Sequence, residues 1–119
     1  MSQDPLERLR KICLALPEST EKETWETPTF RVRNKLFAMF RAEQRGEGRI
    51  GVWCKGAPGA QDVLVGADPE RFFVPPYVGR NGWIGIYLDD GVDWKAVAAL
   101  VTDSFVMTAP KKVAALLDQ

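Results

Sequence analysis

A two-layer α+β sandwich, with N- and C-terminal helices packed on one face of an antiparallel sheet, is the fold that this sequence predicts. Three observations predict it. An apolar stripe of helical period opens the chain, short extended segments crowd residues 23–55 with one more at 83–88, and a second helical stripe follows. Strands grouped between helices, instead of alternating with them one by one, favour helices on one side of an antiparallel sheet. At 119 residues the chain suits one domain, 1–119, able to bury roughly two thirds of its unfolded surface.

The first helix is set by Asp4-Pro5-Leu6-Glu7: a capping side chain, a proline at the first helical position, and an acid where a capping-box partner belongs. Leu6, Leu9, Ile12, Cys13 and Leu16 recur at helical spacing until Pro17 stops the run. Glu18 to Lys22 reads as a polar, acidic connector. Strands are expected at Glu23–Glu26, Thr29–Arg33, Leu36–Arg41 and Arg49–Lys55, with Asn34-Lys35 as a two-residue turn. Between the third and fourth, "AEQRGEG" carries no apolar anchor and is expected to project. Gln61 to Val65 suits one or two helical turns. "DPERFFVPPY" carries both a helix-start signal and an extended Phe72-Phe73-Val74, "GRNG" is a turn, and Trp83–Leu88 is a strand. Asp93 caps a helix whose apolar face is Trp94, Val97, Ala98, Leu100, Val101 and Phe105, and Val113, Leu116 and Leu117 mark a short terminal helix after Pro110.

The composition excludes several function classes. The chain has no histidine, which removes the commonest general base and the commonest transition-metal ligand, and with them Ser–His and Cys–His nucleophile pairs. Neither Cys13 nor Cys54 belongs to a C-x-x-C pair, so both are expected to be buried, reduced thiols. No Gly-rich phosphate loop and no G-x-S-x-G is present. Asp89-Asp90 is a carboxylate pair, but turn chemistry beside Gly91 accounts for it. No enzyme activity and no cofactor is expected. The polar N-terminus, which runs straight into helical spacing, and the lack of a long apolar run point to a cytoplasmic protein.

Charge is neutral in total and uneven in place. Residues 31–55 hold seven cations (Arg31, Arg33, Lys35, Arg41, Arg45, Arg49, Lys55) against Glu43 and Glu47, a net +5, so the rest of the chain carries −5. Strand parity sorts the side chains between the two faces of the sheet. Phe30, Val32, Phe37, Met39, Ile50, Val52, Cys54, Ile84, Ile86 and Leu88 suit the helix-covered face. The opposite face then collects Arg31, Arg33, Arg49, Trp53, Lys55, Trp83 and Tyr87, with glycines at 51 and 85. Cations interleaved with rings suit phosphates and bases. The competing reading is an ordinary solvated face on which tryptophan covers glycine and arginine stacks on tryptophan.

"LALPESTEKETW", "TPTFRVRNKLFAMF", "IGVWCK", "VPPYVGRNGWIGIYLD" and "DWKAVAALVTDSFVMTAPKK" resemble, in order and over nearly the whole chain, the MmcQ/YjbR family of small bacterial proteins. The resemblance implies a frataxin-like α+β sandwich and a double-wing mode of DNA binding. The wings would be the hairpin tips at Asn34-Lys35 and Gln44–Gly48, which carry Lys35 and Arg45. Iron binding, which a frataxin-like fold also suggests, needs an acidic ridge of oxygen ligands on the first helix. Here only Asp4 and Glu7 stand there, beside Arg8, Arg10 and Lys11, so no metal is expected.

Two functions follow. In the first, DNA or another nucleic acid meets Arg31, Arg33, Lys35, Arg45, Arg49 and Lys55 through phosphates, and Trp53 and Trp83 stack or wedge. In the second, Trp53, Trp83 and Tyr87 anchor a protein partner or a planar small ligand, without catalysis.

Overall fold

The structure is a computed structural model that describes residues 4–24, 27–44, 49–75, 78–88 and 92–118, the backbone alone at 42–44, 49 and 118. Helix α1 spans Pro5–Leu14, and the Asp4 carboxylate accepts from the Leu6 N–H at 3.3 Å. Glu7 bonds Arg10 instead of closing a capping box. The Ser19 hydroxyl reaches the carbonyls of Cys13 (2.6 Å) and Leu16 (2.8 Å), satisfying acceptors that the helix end leaves open.

Six strands follow the order β1-β2-β3-β4-β6-β5, every neighbouring pair antiparallel. They are β1 (Ser19–Thr24), β2 (Thr27–Val32), β3 (Lys35–Gln44), β4 (Arg49–Cys54), β5 (Phe72–Phe73) and β6 (Ile84–Tyr87). The segment read as a connector is therefore largely an edge strand, β1. The β2–β3 turn also differs from expectation. Its central residues are Arg33 and Asn34, with φ of 50° and 66°, and Val32 pairs with Lys35. Two positive φ values are what a twist-compatible two-residue hairpin requires.

The register then slips: Arg31 pairs with Leu36 but Phe30 with Ala38, leaving Phe37 as a bulge. Phe37 and Ala38 both turn to the helices and are fully buried, and the Phe37 ring meets Phe105 edge-on at 5.6 Å. Beyond the bulge parity is reversed. Met39 and Arg41 thus lie on the opposite face, where an unbroken alternation had placed Met39 in the core.

Helix α2 (Ala60–Ala67), the two-residue β5 and a 3₁₀ turn at Gly79–Asn81 occupy the region of mixed signals. Helix α3 (Trp94–Thr108) is capped by Asp93, whose carboxylate accepts from the Lys95 N–H at 3.0 Å. The short α4 (Lys111–Ala114) runs into a 3₁₀ turn at Ala115–Asp118. Val113 is buried there, whereas Leu116 and Leu117 are exposed and add nothing to the core.

The main core lies between the helices and the sheet. Leu9, Cys13 and Leu16 from the N-terminal helical segment meet Val97, Val101 and Phe105 of α3 and the inward set Phe30, Val32, Val52, Cys54, Ile84, Ile86 and Leu88. Ser104 fastens α3 to the sheet. Its buried hydroxyl donates to the Phe37 carbonyl (2.5 Å) and accepts from the Lys55 N–H (2.7 Å). Among the described residues, no helix is long and apolar enough to cross a membrane.

Candidate nucleic-acid interface

The sheet face turned away from α1 and α3 has two unlike halves. On the β4–β6–β5 half, Trp53, Phe73, Trp83 and Tyr87 form a second apolar cluster, with Leu36, Met39 and Val78 against it. Glycine makes this packing possible. A Cβ on Gly85 would stand 2.2 Å from ring carbons of Phe73, and one on Gly51 would stand 3.4 Å from that ring and 2.9 Å from the Ile86 carbonyl. Phe73 also lies on Tyr87, ring centroids 4.5 Å apart. Gln61 holds the adjoining segment, its side-chain amide donating to the carbonyls of Gly79 and Trp83, both at 2.7 Å.

Trp53, Trp83 and Tyr87 stand together as parity placed them, but they are only 3%, 6% and 8% exposed. Their burial corrects the expectation of an open platform. Phe73 fills the two glycine positions, so the rings offer neither a stacking surface for bases nor an anchoring patch for a partner. They form a second, smaller core on this half of the sheet.

The β1–β2–β3 half is polar and cationic. Thr29 pairs with Lys22 and Thr20 with Arg31, which fixes these four on the same face. The Arg31 guanidinium is held along the strands by the Thr24 hydroxyl (3.3 Å) and, more loosely, the Thr29 hydroxyl (3.5 Å). Arg41 lies over the Trp53 ring, 4.6 Å from its centroid, so the aromatic half supports the cation at the boundary. Among the described strand residues of this face, from β1 to β3, whose side chains are resolved, there is no Asp or Glu.

The remaining expected contacts divide. Arg33 sits at the turn, paired with Glu18 at 2.5 Å, both side chains about half exposed. That pairing holds the Glu18 carboxyl below its ordinary range and raises the Arg33 guanidinium. Lys35 is exposed at the same tip and Lys55 is half-buried just past β4. Arg45 and residues 46–48 of the second wing lie outside the described residues, as does the Arg49 side chain. Lys22 and Arg41 are contributors that sequence reasoning missed. Lys22 was hidden in the apparent connector. Arg41 carried a usable signal, since unbroken parity would have pointed a guanidinium into the core.

A YjbR family model matches residues 14–107. The crystal structure of Deinococcus radiodurans protein DR2400, described as a DUF419 domain, superposes with a TM-score of 0.74 at 23% identity, over 89% of this chain and 81% of that one. At that identity the likeness speaks for the fold alone. No curated protein matches.

Proposed function

The chain belongs to the YjbR family, and from that premise we propose that it binds nucleic acid through phosphate contacts on the β1–β3 half of its helix-free face. The observation that carries this reading is the row Lys22, Arg31 and Arg41 on strands whose described side chains supply no acid to that face, with Lys35 exposed at the hairpin tip beside it. Cations without carboxylate partners keep their charge for a polyanion, and phosphate contacts position a protein without reading sequence.

The test is fluorescence anisotropy with single- and double-stranded oligonucleotides over a range of salt. For about four neutralised phosphates the log–log slope on duplex DNA is roughly −3.6. Arg31→Ala with Arg41→Ala should bring that slope to about half, equally for unrelated sequences. Absence of salt-dependent binding by the wild type at low ionic strength would end this reading.

A further inference from the structure

On the helix layer, away from the helix-free sheet face, a groove of about 320 Å³ runs between α1 and α3, lined by Arg8, Lys11, Ile12, Trp94, Lys95 and Ala98. We infer that this groove binds a compact apolar acid, its hydrophobic body on Trp94, Ile12 and Ala98 and its carboxylate or phosphate held by Lys11, Lys95 and Arg8. The volume is at the lower end of small-ligand sites. Its walls combine the two chemistries that such a ligand needs: an apolar floor and three cations with no acid among the lining residues. The guanidinium of Arg8 is already placed, 4.7 Å from the centre of the Trp94 ring, so one of the three cations needs less ordering when an anion arrives.

The surrounding carboxylates are occupied. Glu7 is bonded to Arg10, and the Asp93 side chain caps α3 through the Lys95 N–H. Among the described residues neither Lys11 nor Lys95 has a carboxylate partner. The geometry also selects ligand size. Arg8 and Lys11 are one turn apart on α1, and α3 adds Lys95 to the lining, so the charged zone extends only about 5 Å along the groove. An extended polyanion would overrun it and meet Glu7 and Asp93, whereas a single acid with a short apolar body fits within it.

The experiment is a titration of the isotope-labelled full chain with 2-naphthoate and with octanoate, followed by the Trp94 indole N–H and by backbone amides, beside the uncharged 2-naphthylmethanol. Naphthoate or octanoate should shift resonances confined to residues 8–12 and 94–98, and the stronger of the two identifies an aromatic or an aliphatic body. The alcohol should bind about tenfold more weakly, as loss of a charge-assisted contact implies. Lys11→Gln with Lys95→Gln, both exposed, should weaken acid binding about tenfold while leaving the melting temperature and the oligonucleotide anisotropy unchanged. Equal binding of acid and alcohol, shifts elsewhere in the molecule, or perturbation of this groove by an oligonucleotide but by neither acid would each overturn the inference. The first two outcomes leave the sheet face untouched, and the oligonucleotide anisotropy of the Arg31 and Arg41 variant tests that face by itself, so the two sites fail separately.

Discussion

Gly85 is the residue on which the sealed half of the sheet turns. With a Cβ 2.2 Å from the Phe73 ring carbons, Gly85→Ala forces the ring off its seat, and overpacking of this kind costs roughly 1–3 kcal/mol in urea unfolding. Gly85→Ala combined with Phe73→Leu should cost less than the sum of the two, because the smaller side chain removes the clash. The alternation of Trp83–Leu88 made Gly85 and Tyr87 legible as facing away from the helices. Their burial was not legible, because the side chain that covers them comes from a two-residue strand with no periodicity of its own. Glu18 offers a pH test. Its carboxyl is held low by the Arg33 hydrogen bond, so the pair contributes above the ordinary carboxylate range, and the contribution is lost as pH falls through the depressed value. An NMR titration should find the Glu18 midpoint below that of a free glutamate, and Arg33→Ala should return it to the ordinary value.

At the scale of elements, Ser104 ties the long helix to two strands through one hydroxyl. Ser104→Ala leaves the Lys55 N–H and the Phe37 carbonyl with only their long bond to each other, 3.4 Å, and a poorly satisfied interior group costs roughly 1–3 kcal/mol. Equilibrium unfolding should show that loss with an unchanged denaturant slope. Helices α1 and α3 were legible because caps and 3.6-residue spacing agreed, and β4 and β6 because Val52 and Ile86 alternate with outward residues. β1 was not. "STEKET" alternates between Ser19, Glu21 and Glu23 on one side and Thr20, Lys22 and Thr24 on the other, all polar, so period two leaves no hydrophobic trace. The bulge at Phe37 was equally hidden. Phe37-Ala38 are adjacent apolar residues, and only the partner strand decides whether both face inward.

For the whole molecule, the two thiols report on global opening. Cys13 and Cys54 are fully buried, and burial raises both thiols, Cys54 to about 12. Thiolate is the reactive form, so labelling near pH 8 should be slow and should accelerate with denaturant in step with unfolding. Fast labelling of either residue in the native protein would show a local opening that the packing does not provide. The two ends of the sheet carry a different consequence. β1 is a row of polar and charged side chains, and β5, at the other margin, is two residues long. An unpaired strand margin is a template for another chain's backbone, and this fold keeps one margin hydrated by charge and the other too short to recruit. A neighbour that added a seventh strand along β1 would have to lay its backbone beside Lys22 and Glu23, so two exposed residues that contribute nothing to the core stand where fibre-like growth would begin.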